Sequence, residues 1–190
     1  MDFDILTERE ACGKKIEYGI LRGEGDTVFV KAGRGGTHRG ENDKYLRFAA
    51  YLREKYGVSV ICADNPDECR NSCAGDIDVL HKYARGKCYL WGTSDGAFKC
   101  IDIAVVLGDF EKAVLVNMPL MINFYRTKER LRALGGARFA FVYGERDPSF
   151  KYLPFMRSPE GCEIATLAGA GHVLSCTAEE CELFARLLFK

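Results

Sequence analysis

A series of short apolar segments that do not alternate with polar residues constrains this chain more than any other feature. They are TVFVKA (27–32), VSVICAD (58–64), KCYLWG (87–92), KAVLVNM (112–118), RFAFVYG (138–144) and EIATL (163–167), and a longer amphipathic stretch separates most of them from the next. A strand with one solvated face alternates in polarity, whereas a strand covered on both faces reads as a continuous apolar run. The pattern therefore predicts parallel strands sandwiched between helices: an α/β three-layer (αβα) fold around a mostly parallel, doubly wound sheet. The intervening stretches fit, since residues 42–56 place Tyr45, Leu46, Phe48, Ala49, Leu52 and Tyr56 at helical spacing, and Gly57 follows as a C-terminal stop signal. Further helices are expected over 66–84, 95–108, 122–133 and 178–189. IEYGILR (16–22) and TVFVKA are separated by Gly-Glu-Gly-Asp, a turn composition, so an antiparallel hairpin is expected ahead of the parallel strands. No repeat or linker interrupts residues 1–190, which read as a single domain.

Composition narrows the function. Twenty-seven Lys plus Arg balance twenty-seven Asp plus Glu, which removes the global electrostatic argument for nucleic-acid binding. No apolar stretch approaches the roughly 20 residues of a membrane span. The opening MDFDILTERE has neither a basic n-region nor an apolar h-region, and the nine cysteines are odd in number, several within apolar runs. The expectation is a reduced, cytoplasmic protein. Cys69-Arg-Asn-Ser-Cys73 has the look of a metal clip, but lacks a second paired half, so no metal is expected.

Ligands of open α/β sheets bind beyond the carboxyl ends of the strands, so the residues after each apolar run matter most. These are Gly33-Arg34-Gly35-Gly36-Thr37-His38-Arg39-Gly40, Gly92-Thr93-Ser94-Asp95-Gly96, Gly144-Glu145-Arg146-Asp147-Pro148 and Gly169-Ala170-Gly171-His172. Ser94 stands in G-x-S-x-G between a strand and a helix, where a sharp turn crowds the flanking positions and demands glycine. By itself the motif reads equally well as a helix N-cap. A serine needs a base, and the base an orienting carboxylate. Of the three histidines, His81 falls within a helix and His38 early in the glycine-rich loop, while His172 follows the last strand. Asp147 is the favoured carboxylate, with Glu145 and Asp64 as competitors.

The order Ser94…Asp147…His172, with the serine in G-x-S-x-G and a glycine-rich loop after an earlier strand, resembles the α/β-hydrolase superfamily from about residue 16 to 189. The resemblance implies a serine hydrolase, of esterase or thioesterase type, with Ser94 as nucleophile, His172 as base and Asp147 as acid. It also implies a backbone oxyanion hole, with Asp95 N–H as one donor and Arg34 N–H as the other, Gly35 being next in line. Two departures stand out: Ala32 replaces the histidine of the usual loop motif, and the residue after the serine is acidic. Residues 119–137 leave room for one helix and no cap domain. Met118, Met121, Phe124 and Tyr125 there read either as an apolar acyl-side wall or as a core-facing stripe. Arg34, Arg39 and His38 flank the expected oxyanion hole.

The expected substrate is a small acyl compound (ester, thioester or lactone), with peptide bonds left open, as is a homo-oligomer; no cofactor is called for. Two other readings compete. One is a non-catalytic binding module on a hydrolase scaffold. The other is a nucleotide-binding protein, because Gly33-x-Gly35-Gly36 with Asp64 imitates a dinucleotide fingerprint, although the glycine spacing is off-pattern and Asp64 lies about 30 residues on where roughly 20 is expected.

Overall fold

The computed structural model describes residues 1–67, 73–122, 124–155 and 161–190. Eight strands form one sheet: β1 (Ile5–Ala11), β2 (Lys14–Leu21), β3 (Thr27–Lys31), β4 (Ser59–Ala63), β5 (Cys88–Thr93), β6 (Ala113–Val116), β7 (Phe139–Gly144) and β8 (Glu163–Leu167). Their spatial order is β1-β2-β4-β3-β5-β6-β7-β8. Strands β3 to β8 run parallel, while β2 joins β4 and β1 joins β2 in antiparallel fashion. The helices are α1 (Lys44–Tyr56), α2 (Cys73–Tyr83), α3 (Asp95–Leu107), α4 (Phe124–Leu134) and α5 (Ala178–Leu188).

Both faces of the sheet are covered, which is why the parallel strands lack alternation. Val28 and Val30 of β3 pack with Phe48 and Leu52 of α1 and Phe184 of α5, whereas Phe29 between them packs on the opposite face with α2, α3 and α4. The stop signal at Gly57 is seen as a left-handed residue at φ +67°. Helix α5 begins at a capping box, in which Thr177 Oγ1 accepts from Glu180 N–H and the Glu180 carboxylate accepts from Thr177 N–H. No helix among the described residues is long and apolar enough to cross a membrane.

The amino-terminal expectation needs correction. Residues 16–22 and 27–32 do not pair as a hairpin, because β4 lies between β2 and β3 and takes an edge of each. The true hairpin is β1–β2, with Ala11 opposite Lys14. Its two-residue turn places Cys12 at φ +54° and Gly13 at φ +67°, as a type I′ turn requires. Strand β1 escaped the sequence reading because ILTEREA carries charge on a half-exposed edge, a common guard against edge-to-edge association. The helix expected from 66 does not start there, since Pro66 and Asp67 are not helical; residues 68–72, which include Cys69, lie outside the described residues.

Candidate active site

Ser94 sits at the junction of β5 and α3, at φ +52° and ψ −123°. A non-glycine residue in that region is strained and persists only where its surroundings enforce it. The surroundings are tight. A Cβ on Gly92 would lie 2.5 Å from the Gly96 carbonyl oxygen, and one on Gly96 only 2.2 Å from the Ala32 carbonyl oxygen. Glycine at both positions lets α3 start against the end of β3, and Ser94 N–H is anchored on the Val116 carbonyl at 2.8 Å.

The serine hydroxyl is 2.9 Å from His172 Nε2, and His172 Nδ1 is 2.5 Å from Asp147 Oδ2. The Asp147 side chain is almost fully buried and its other oxygen accepts Ser149 N–H at 2.7 Å, whereas the His172 side chain is 43% exposed. A buried carboxylate with fixed partners holds the ring's tautomer and orientation; the exposed edge leaves the serine side open to a ligand. Glu145, the competing carboxylate, is turned away and accepts Gly169 N–H at 2.9 Å.

Two asparagines that the sequence reading missed hold the rim together. Asn117, buried at φ +46° just past β6, donates to the carbonyls of Gly171 (3.0 Å) and His172 (2.8 Å) and accepts Gly144 N–H at 2.9 Å. It ties the histidine loop to the end of β7, which leads to Asp147. Asn65, also buried, donates to the Ala32 carbonyl and to Asp95 Oδ2, both at 3.1 Å. The available signal was a polar residue directly after each apolar run, Asn117 after KAVLV and Asn65 after VSVICAD.

Asp95 N–H, in the first turn of α3, and Arg34 N–H have no hydrogen-bond partner among the described residues. Gly35 N–H is spent on the Asn65 carbonyl at 2.7 Å, so it does not stand in for Arg34 as a donor. The acidic side chain of Asp95 is accounted for as well, because Asn65 and the Arg34 guanidinium (3.5 Å) draw it sideways.

Two cavities meet at Ser94. One, of about 490 Å³, is bounded by Gly33–Thr37, Lys44, Tyr45, His172 and Val173, and so includes Gly35. The other, of about 510 Å³, lies between α3 and α4, with Phe98, Ile101, Pro119 and Ile122 among its walls. Neither methionine expected to contact substrate lines either cavity. Met118 is wholly buried in the core, with its carbonyl bonded by Tyr143 Oη at 2.6 Å, and Met121 points to solvent at 58% exposure. The chain leaves β6 at Asn117, Met118 then packs into the core with Ala113 and Leu115, and the neighbours Pro119 and Ile122 form the wall instead.

His38 is likewise elsewhere. Its Nδ1 is 2.9 Å from Asp64 Oδ1, its ring tilts against Phe3, and it borders a separate hollow beside Glu17. Asp64 also accepts the backbone N–H groups of His38 (2.5 Å) and Glu17 (3.1 Å). Those donors use the carboxylate that a dinucleotide ribose would need, which weakens the nucleotide-binding reading. Arg39 pairs with Asp2 and Asp43, and His81 is exposed on α2.

No family model matches the sequence, and no curated protein matches it. Solved structures do. An alpha-beta serine hydrolase homologue from Coxiella burnetii is 17% identical with a TM-score of 0.70, over 98% of each chain. Est1E from Butyrivibrio proteoclasticus is 14% identical with a TM-score of 0.69, over 95% of this chain and 94% of its own. An a/b serine hydrolase without lid from Xanthomonas campestris is 12% identical with a TM-score of 0.62, over 96% and 90%. The sheet order, the helices on both faces and these likenesses show the α/β-hydrolase fold, with no cap domain evident.

Proposed function

We propose that this chain, built on the α/β-hydrolase fold, is a serine hydrolase of small esters, thioesters or lactones. The observation that carries the reading is the continuous relay Ser94 Oγ–His172 Nε2–His172 Nδ1–Asp147 Oδ2, on a serine held at strained backbone angles. In the first half-reaction His172 Nε2 takes the hydroxyl proton as Ser94 Oγ attacks the carbonyl carbon. The oxygen that gains charge is met by Arg34 N–H and Asp95 N–H, the latter aided by the positive end of α3. Collapse breaks the bond to the leaving group, which takes the proton from His172 and departs, leaving an acylated Ser94. Water, deprotonated by His172, then releases the acid and restores the serine. Asp147 holds Nδ1–H and stabilises the imidazolium throughout. The serine hydrolases among the similar structures support this reading.

The test is intact-mass spectrometry after incubation with a fluorophosphonate. The wild type is expected to gain one adduct and Ser94→Ala none. A wild-type protein that is folded by circular dichroism yet stays unlabelled would overturn the mechanism in favour of a binding module.

A further inference from the structure

Among the described residues, more cationic than anionic side chains line the α3–α4 cavity. Arg34, Lys99, Arg126 and Arg130 line it against Asp95 and Asp102. Arg34 reaches Asp95, and Arg130 pairs closely with Asp102. Arg126 has no carboxylate partner among the described residues. A cation on a cavity wall, close to apolar residues, attracts an anion more strongly than one in open solvent.

Position along the helices says where that anion would sit. Helices α3 and α4 both start at the carboxyl-end rim and run away from it side by side. Asp95, Phe98, Lys99 and Asp102 form one stripe of α3, and Arg126 and Arg130 one stripe of α4. Arg130 meets Asp102 at the far end, which fixes the register. Arg126 is one turn, about 6 Å, nearer the rim, roughly level with Phe98.

The reaction itself decides which half of the substrate enters. On the Ser94 reading, the leaving group must lie within reach of the proton on His172 Nε2. The cavity that contains His172 is the one bounded by Gly33–Thr37; the α3–α4 cavity does not include it. The acyl part therefore enters the α3–α4 cavity. We propose that the substrate's acyl group ends in a carboxylate a few carbons from the scissile carbonyl, bound by the Arg126 guanidinium after the chain passes Phe98 and Ile122. The inference rests on the serine-hydrolase reading and names the substrate class of that same site, a monoester or monothioester of a short dicarboxylic acid.

The experiment compares kcat/KM for p-nitrophenyl hemiglutarate with p-nitrophenyl butyrate in the wild type, Arg126→Glu and Arg126→Lys. The wild type is expected to favour the hemiglutarate, and the hemiglutarate-to-butyrate ratio to fall roughly tenfold or more in Arg126→Glu, as for loss of a charge-assisted contact. Arg126→Lys should recover part of the ratio, and added salt should erode the wild-type preference. Equal ratios in wild type and Arg126→Glu overturn the proposal and leave the Ser94 reading standing. 4-Acetoxybenzoate, with its anion on the alcohol side, serves as the third substrate; Arg126-dependent turnover of it in place of hemiglutarate overturns the acyl-side assignment. If no ester is turned over, the Ser94 reading fails separately. Calorimetric titration of the Ser94→Ala protein with monomethyl glutarate then decides, binding lost in Ser94→Ala/Arg126→Glu supporting the carboxylate site and absence of binding overturning it.

Discussion

Two histidine–aspartate pairs lie near the carboxyl-end rim, His172–Asp147 and His38–Asp64, and their ring-to-carboxylate distances, 2.5 and 2.9 Å, are much alike. What separates them is the remainder of each environment. At His172 the carboxylate is buried, the ring is 43% exposed and its second nitrogen faces a strained serine. At His38 the ring is only 9% exposed, and its aspartate is already gripped by two backbone N–H groups. His38, Asp64 and Glu17 bring their donor atoms within 4.8 Å of one another, yet the Asp64 bonds mainly fasten the glycine-rich loop to β2 and β4. A histidine–carboxylate pair can thus pin a loop or orient a base, and the choice depends on what the far ring nitrogen meets and whether solvent reaches it.

The largest expected effect breaks this comparison directly. His172→Ala should lower kcat/KM toward an activated ester by about a thousandfold or more, with the melting temperature little changed. His38→Gln should retain activity within tenfold and instead lose about 1–2 kcal/mol of stability in urea unfolding, as one buried partner of Asp64 is removed. A thousandfold kinetic loss in His38→Gln would mean that the two pairs have been assigned the wrong way round.

Beneath the His38 side of the rim, Lys31 is fully buried, with Nζ 2.9 and 2.8 Å from the two oxygens of Asp76 and 2.8 Å from the Asp64 carbonyl. Burial pushes the Asp76 carboxyl above its usual range, against the pull of Lys31. Lys31→Met should cost about 3–5 kcal/mol by stranding Asp76, and Lys31→Met/Asp76→Leu should regain most of it. A double variant no more stable than the single one would show that the pair supports the loop in some way beyond charge compensation.

On the His172 side, Asn117→Ala removes three hydrogen bonds from the histidine loop and the end of β7. The expected result is a fall in kcat of about ten- to a hundredfold with KM nearly constant, since the ring is misplaced while the cavities stay intact. A change confined to KM would count against Asn117 as the residue that positions His172. The smallest effect concerns the thiols. Burial pushes Cys176 and Cys181 up to about 12, so in the folded protein at pH 8 both should resist alkylation and react only on unfolding. Rapid labelling of Cys181 would show that α5 opens, and of Cys176 that the segment leading into it does.

The parallel strands, the helices between them and the glycines flanking Ser94 were legible because each depends on local chemistry. Two-sided burial leaves an unbroken apolar run, and a crowded elbow demands glycine on both sides of its serine. The first strand was not legible, since an edge strand half in water carries no such run. Nor was the β2–β3 relationship, because a turn composition says that the chain reverses but not whether a strand from 30 residues later will slip in between. Met118 and Met121 were assigned to the site on residue type, and the three-residue path of the chain between them left one in the core and the other in solvent.

From the sequence alone, then, came the layers and the chemical identities at the rim. Only the tertiary structure brought His172 within 2.9 Å of the serine, and only it decided which loop N–H groups are left unspent among the described residues, that Asn65 and Asn117 tie the loops together, and that Arg126 has no carboxylate partner among the described residues. The physical reason is range. Burial pattern and turn strain are written in neighbouring residues, whereas partnerships such as His172–Asp147 and His172–Ser94 are settled between residues 25 and 78 positions apart, and only packing of the sheet and helices brings those together.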